Sequence, residues 1–528
     1  MLTTKVIGPP GCGKTTKGRG IVSEKIEQGY DPDSIIYTSL TNAAVDEARR
    51  KIAAVIGLKG IPEYFATEHS ICKRMLGIPS EKIFANKWVR MFSEAYPKYA
   101  MSSEVKTEDR FTEGMMQTSG DCYEFAYNYM KSTMLPYEEA YTRVLPGFPT
   151  DKIQLTLADF EAYLQVRDDF QKQNDLFSFS DMIELALRRK LVPSAKILCV
   201  DEAQDCSPLQ WELIKMWMRE MDYTYIIGDF LQSVYGFIGS NPHQFLSFPA
   251  DEEITLAQSY RLPKLIKDFA VRTIKQRTGL PVPEFSAKDE DGLLDWASYY
   301  DIRWDNLPEC FVLERTRHLI SRTRDDLMKM GVPFKCERGI DSPLYKTIGT
   351  AYKSALKLKD GFTVNQYELL DLIKHITKPY LKHGAKAKVK RLPVGSYKRD
   401  DLEAIGFTDK FFNSLADPEQ LDEMISFGDF NDEDKPYLRK VFDKYGTSPD
   451  GDITLTTLHG SKGRERKLIL LNPDYTPRTF EGLRLEPTSE AMLQYVAITR
   501  AKEALLVFRP RGYMTYPMVD MKEEANAK

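Results

Sequence analysis

The sequence lacks most of what would tie it to an oxidising compartment or to a membrane. Its seven cysteines are an odd number and form no CxxC pair. That count and spacing argue against a disulfide framework or a zinc module and suit a reducing cytoplasm. No apolar run approaches the ~20 residues that a membrane span needs. The first residues lead directly into a functional motif, leaving no stretch that reads as a signal peptide. Excess charge is missing as well: 73 Lys and Arg against 77 Asp and Glu leave a formal net charge of −4. A polyanion would therefore need a local basic groove. With 42% hydrophobic residues over 528 positions, there is ample material for two to four domains with real cores. The expectation is a soluble protein of the cytoplasm, or of a host's cytoplasm if the source is viral.

What is present begins at residue 8. Gly8-Pro9-Pro10-Gly11-Cys12-Gly13-Lys14-Thr15-Thr16 fits the phosphate-loop pattern G-x-x-x-x-G-K-[ST] at every fixed position. Thr3 to Ile7 before it reads as a short buried strand, and Lys17 to Gly29 after it as a helix. The glycines let the backbone aim N–H groups at phosphate oxygens, and the helix N-terminus adds positive potential. In such a loop Lys14 reaches the β- and γ-phosphates, and the Thr15 hydroxyl ligates Mg²⁺. A nucleoside triphosphate is the ligand this pattern predicts.

Hydrophobic patterning divides the rest of the chain. Strand-like runs at Ser34–Ser39, Lys196–Glu202 and Tyr223–Ile227 join the first strand in an α/β unit over residues 1–79 and 169–251. Residues 80–168 are helical in pattern and rich in Tyr, Phe and Met, as an inserted subdomain would be. Tyr123, Phe125, Tyr127 and Tyr129 read as its core, with base stacking as the alternative. A second α/β unit is expected over 252–340 and 449–528, opening with a strand at Glu253–Leu256 and interrupted by a mostly helical insertion over 341–448. The fold class is α/β, with two phosphate-loop-type units built on parallel sheets.

Asp201-Glu202-Ala203-Gln204-Asp205 lies where a triphosphatase needs its second element. One carboxylate at a strand end can hold Mg²⁺ opposite Thr15, and its neighbour can orient and deprotonate the attacking water. These residues, Asp201-Glu202-Ala203-Gln204, resemble motif II of superfamily 1A helicases, the UvrD/Rep family. The family's other motifs then occur in order. Leu40-Thr41-Asn42-Ala43-Ala44 is similar to motif Ia and Thr67-Glu68-His69-Ser70 to motif Ib. Gly228 to Phe237 resembles motif III, and Gln258-Ser259-Tyr260-Arg261 motif IV. Thr457 to Glu465 resembles motif V, and Gln494 to Lys502 motif VI.

The resemblance implies two RecA-like domains with ATP between them. Lys14 and Glu202 would act in catalysis with Gln232, which matches the γ-phosphate sensor, and with Arg261 and Arg500, which match the two arginine fingers. Tyr260 matches the aromatic that stacks on adenine, and Glu465 the acid on the ribose. Mg²⁺ would sit at Thr15 and Asp201. Phe237 matches the residue on which a base stacks, while Thr41, Asn42, Thr67, His69, Ser70 and His459 match positions along the strand path. The implied activity is ATP-dependent 3′→5′ translocation on single-stranded DNA with duplex unwinding at single/double-strand junctions. A translocase that strips proteins from DNA with little unwinding and a nucleotide-switched DNA-binding adaptor are the alternatives. An RNA strand also stays open.

The chain departs from the family pattern in places. The upstream segment whose glutamine reads the adenine edge has no counterpart before Gly8, so looser discrimination among ATP, GTP and CTP is expected. Leu40, Glu68 and Ile238 replace residues that commonly contact DNA, which implies a weaker single-strand grip. A basic run in the second insertion (Lys382, Lys386, Lys388, Lys390, Arg391, Lys398, Arg399) reads either as a duplex-phosphate contact or as a solvated loop.

Overall fold

A computed structural model describes residues 2–40, 45–46, 48–50, 52, 62–102, 118–145, 154–336, 342–376, 379–424, 434–447, 449 and 451–520. Two parallel sheets organise them. The first has strands β1 (Leu2–Ile7), β2 (Ile35–Ser39), β3 (Ile197–Asp201), β4 (Tyr223–Gly228) and β5 (Glu252–Thr255), in the order β2-β3-β4-β1-β5. All five residues of β3 are buried, as a central parallel strand covered on both faces requires. The register places Ile7 beside Gly228 and Ser39 beside Asp201. The loops leaving β1, β3 and β4 therefore emerge together at the carboxyl edge, where open α/β sheets bind ligands.

The second sheet contains β6 (Leu293–Ala297), β7 (Cys310–Glu314), β8 (Phe334–Cys336), β11 (Ile453–Thr457), β12 (Arg466–Leu471) and β13 (Ala501–Phe508). Its order is β6-β13-β12-β7-β11-β8, all pairs parallel. Glu314 pairs with Thr457, so the loops after β7 and β11 also share one edge. A short ladder of β9 (Val364–Asn365) and β10 (Ser396–Tyr397) lies in the second insertion.

Two expectations are corrected here. The strand expected to open the second unit, β5, pairs with β1 and closes the first sheet instead. Its exposed, charged Glu252-Glu253 carries no signal for either sheet. The boundary expected at residue 168 falls inside the helix Leu157–Asn174. That helix continues because the apolar face runs on through Phe170, which packs edge-on against Phe84 and Phe92.

The first insertion has its own aromatic core, and Tyr123 and Tyr127 are buried in it. Tyr123 stacks on Phe160 at 5.8 Å, so these rings pack the subdomain as its core. One apolar cluster spans both sheets. It joins Leu198, Phe230 and Trp217 to Leu313, Leu471 and the helix Pro487–Ile498, in which every residue from Glu490 on is buried. Burying each large apolar side chain contributes about 1.5–3 kcal/mol, so this shared core holds the two units against each other. No helix among the described residues is long and apolar enough to cross a membrane.

Candidate functional site

The phosphate loop is shaped by its glycines. Gly11 and Gly13 adopt φ of 74° and 81°, the left-handed region that side chains avoid. A Cβ on Gly8 would lie 2.2 Å from Lys14 Cγ, so only glycine lets the lysine fold back across its own loop. Lys14 opens the helix Lys14–Glu27, and its ammonium donates to the Gly8 carbonyl at 2.8 Å. Cys12 is packed beneath the loop, and burial pushes its thiol up to about 12, leaving it an inert spacer.

Asp201 ends β3. Its carboxylate accepts from the Tyr37 hydroxyl at 2.8 Å and from the backbone N–H of Glu202 at 3.0 Å. Burial and the adjacent Glu202 charge push Asp201 up, opposed by Tyr37, Lys14 and the Thr15 hydroxyl. Glu202 goes the other way. Burial is its largest influence and raises it, but Lys14, Lys462, Gln204 and Arg500 together hold it below the usual range. The pair is thus split, one carboxyl retaining a proton more readily and one staying ionised. Glu202 also has φ of 55°, a left-handed conformation that costs a non-glycine residue about 1 kcal/mol or more and clusters at functional sites. Gln204 holds it there: its Nε2 donates to Glu202 at 2.5 Å while its Oε1 accepts the Asp229 N–H at 2.9 Å. A hydroxyl beside a carboxylate, with few other protein oxygens, is a donor set suited to Mg²⁺, which keeps several waters.

The second unit closes over this edge. The Ser259 hydroxyl donates to the Pro10 carbonyl at 2.7 Å, and the Tyr260 N–H to the Gly11 carbonyl at 3.0 Å. Arg261 donates to Glu465 at 2.6 Å and to the Thr499 carbonyl at 3.3 Å, and Lys502 pairs with the same glutamate at 3.2 Å. The Tyr260 ring itself is 76% exposed. Arg500, 2% exposed, donates through Nη2 to Gln232 Oε1 at 2.6 Å and through Nε to the Val496 carbonyl at 2.8 Å. Burial, with the Arg261 charge beside it, pushes its guanidinium down to about 9. Gln232 in turn donates to Asp229 at 2.6 Å. Lys14, Asp201, Glu202, Gln232, Arg261, Arg500 and Glu465, expected from separate motifs, thus lie in one interlocked set.

Lys462 lies within the motif V stretch, where the resemblance assigns it no role. Its ammonium bonds the Asp205 carboxylate, donates to the Gln232 carbonyl at 2.7 Å and lies 4.8 Å from the Tyr235 ring centroid. Sequence could not single it out, because those partners lie more than two hundred positions away. Burial pushes Asp205 up to about 7 even though Lys462 opposes it.

The expected strand contacts are less uniform. Thr67 caps the helix Glu68–Met75, accepting from the Ser70 N–H at 3.3 Å, and its hydroxyl lies 2.9 Å from that of Ser70. His69 is half-buried and edge-on to Phe179 at 5.8 Å, and burial pushes it down to about 4. Phe179, 45% exposed, is an aromatic that no motif in the sequence marks. His459 is pushed down to about 3 by burial, Arg315 and Lys462, so both histidines are neutral at pH 7. Phe237 lies in the turn Gly236–Ile238, with its side chain outside what the structure describes. Thr41 and Asn42 lie outside the described residues.

Known proteins are similar to this chain in sequence. A family model described as the UvrD/REP helicase N-terminal domain matches residues 2–253. A probable DNA helicase of Mycoplasma pneumoniae is 25% identical over 273 residues, 48% of this chain and 49% of that protein, so the match spans about half of each. A probable DNA helicase II homolog of Mycoplasma capricolum is 22% identical over 617 residues, covering 97% of this chain and 83% of the relative. The ATP-dependent DNA helicase PcrA of Staphylococcus epidermidis is 21% identical over 589 residues, covering 91% and 77%. With the phosphate loop, the Asp201-Glu202 pair and the motifs after them in this order, the chain is similar to the UvrD/Rep family of helicases, over residues 2–253 by the family model and over nearly its whole length by the relatives.

Proposed function

We propose that the chain is an ATP-dependent DNA helicase that moves 3′→5′ along single-stranded DNA, with hydrolysis stimulated by the strand. One observation carries this reading: Arg500 of the second unit bonds Gln232 of the first, beside Glu202. Negative charge develops on the γ-phosphoryl oxygens during hydrolysis, and a cation held by the opposite unit reaches them only when the units close. In this reading Lys14 binds the terminal phosphates, Glu202 takes the proton of the attacking water, and Gln232 senses the γ-phosphate. Arg261 and Arg500 stabilise the transferred charge. Thr15 and Asp201 would hold Mg²⁺, which supplies charge neutralisation on the phosphates when bound. Glu465, paired with Arg261 at 2.6 Å, would turn to the ribose, and the exposed Tyr260 would stack on the base.

DNA would cross both units at Thr67 and the helix start bearing His69 and Ser70, and at the turns bearing Phe237 and His459; the family resemblance adds Thr41 and Asn42. Opening and closing around each nucleotide would alternate the grip and ratchet the strand.

Strand displacement on forked duplexes with 3′ or 5′ single-stranded tails tests the reading. ATP-dependent displacement from the 3′-tailed fork is expected. Displacement from the 5′-tailed fork alone would reverse the polarity. Removal of bound protein without duplex opening would favour the translocase alternative. Comparable kcat/KM for ATP and GTP is expected, and strong ATP preference would refute that part.

A further inference from the structure

The helix Pro487–Ile498 meets the first unit at both of its ends. Just past its C-terminal end, Arg500 donates to the Gln232 side chain at 2.6 Å. Near its N-terminal end, a side-chain carbon built on Gly236 would come to 3.9 Å from the Ser489 hydroxyl. Gln232 and Gly236 belong to one short segment, with Gln232 at the phosphate side and Phe237 just beyond. Twelve residues of α-helix rise about 18 Å, so one rod spans that segment's two ends. A rod transmits movement only if its rotation and register are fixed.

Glu490, in the first turn, supplies that fix. Its carboxylate accepts from Arg315 through Nη2 at 2.6 Å and Nε at 3.0 Å, a bidentate pair. It also accepts from the Tyr475 hydroxyl at 2.6 Å, which in turn accepts from Gln494 Nε2 at 3.1 Å, one helical turn along. The Arg315 and Glu490 side chains are 12% and 8% exposed. In so dry a setting a fork-to-fork pair is strong and directional, and a lysine could not reproduce it. Arg315 also faces the other way. It follows Glu314, the last residue of β7, whose ladder partner Thr457 leads into the His459 loop. Its charge is among those that depress His459.

We propose that Arg315 and Glu490 are positioning residues that couple the His459 loop to Arg500, so that stimulation of ATP hydrolysis by single-stranded DNA runs through this ion pair. The inference rests on the strand-driven motor proposed above. A strand phosphate arriving beside His459 competes with Glu490 for the Arg315 guanidinium. A shift of that pair turns the helix and moves Arg500 against Gln232, which makes strand occupancy a bias on the hydrolytic geometry.

The test is steady-state ATP hydrolysis by the full chain, with and without oligo-dT. Glu490→Gln should keep its basal rate within about twofold of wild type. Its oligo-dT stimulation should fall by about tenfold, the order of one missing hydrogen bond to a charged group. Arg315→Lys, retaining charge without the fork, should recover part of the stimulation that Arg315→Ala loses. Tyr475→Phe should give a smaller loss in the same direction, and it decides the matter by the same ratio if Glu490→Gln does not fold. An unchanged stimulation ratio in wild-type-like folded variants overturns the proposal, as does an equal loss of basal and stimulated rates. A wild-type chain that hydrolyses no ATP with oligo-dT overturns the motor reading and this one with it. Normal wild-type stimulation with an unchanged ratio in Glu490→Gln overturns this one alone.

Discussion

Arg500 donates to the Oε1 of Gln232 at 2.6 Å across 268 positions of sequence, joining the second sheet's unit to the first. Lys462 adds a second bond across the units to the same residue, donating to the Gln232 carbonyl at 2.7 Å. Gln232 is thereby held through side chain and backbone at once. Anything that separates the units must break both bonds, and the buried Lys462–Asp205 pair with them.

Glu202 is the group held ionised in the site, which is what a general base must be. Glu202→Gln keeps the size and the hydrogen bond from Gln204 but removes the basicity. It should bind a fluorescent ATP analogue like wild type and lose turnover by about 10²–10⁴-fold, the usual worth of a positioned base. Retained hydrolysis in a malachite-green phosphate assay would mean that another group takes the proton.

At Gly11 the second unit packs directly on the phosphate loop, the Tyr260 N–H donating to the Gly11 carbonyl at 3.0 Å. A Cβ there would lie 2.4 Å from Arg261 Cβ and 2.8 Å from Ser259 Oγ, with φ of 74° adding backbone strain. Gly11→Ala should therefore impair closure more than folding. The expected result is at least about a tenfold loss in kcat/KM for ATP, with far-UV circular dichroism unchanged. Wild-type kinetics would show that this approach is not needed.

Glu314 gives a pH signature away from the nucleotide. It accepts from Thr323 at 2.7 Å and from Asn472 at 2.7 Å, and burial pushes it up to about 7 from an ordinary 4.5. Because the folded value is raised, its contribution to stability is full below about pH 4.5 and is lost as pH rises through about 7. Wild type should be more stable relative to Glu314→Gln at pH 5 than at pH 8.5. Paired thermal melts at the two pH values check this, and a gap that widens toward pH 8.5 would contradict it.

Much of the site could be read in the sequence because phosphate chemistry dictates residue type at fixed spacing. Gly8 to Thr15 and Asp201-Glu202 are such places. Strand membership was less legible. The residues of β5 suit either sheet, and the edge strand β6 has Leu293 52% exposed, so its alternation is weak. Lys462 could not be assigned because its acceptors exist only once two units meet. Thr67 shows the converse. A threonine three residues before a serine reads equally as a strand contact or as a helix cap, and here its hydroxyl caps.

The basic run of the second insertion is exposed along its length, but Lys398 and Arg399 already pair with Asp400 and Glu403, each at 3.3 Å. Any duplex grip then rests on Lys382, Lys386, Lys388, Lys390 and Arg391. Reversing Lys386, Lys388 and Lys390 to Glu should weaken duplex binding and lower the salt slope by about 0.9 for each phosphate no longer neutralised. Oligo-dT-stimulated ATPase should stay as in wild type. Fluorescence anisotropy over a salt series checks it, and unchanged slopes would mark the run as solvated.

The most direct measurement is ATP hydrolysis by Arg500→Ala beside wild type, both saturated with oligo-dT, with nucleotide affinity measured in parallel. A cation delivered across the units predicts a loss of about 10³-fold or more in kcat with ATP binding retained. Turnover within a few-fold of wild type would contradict a site completed by the second unit.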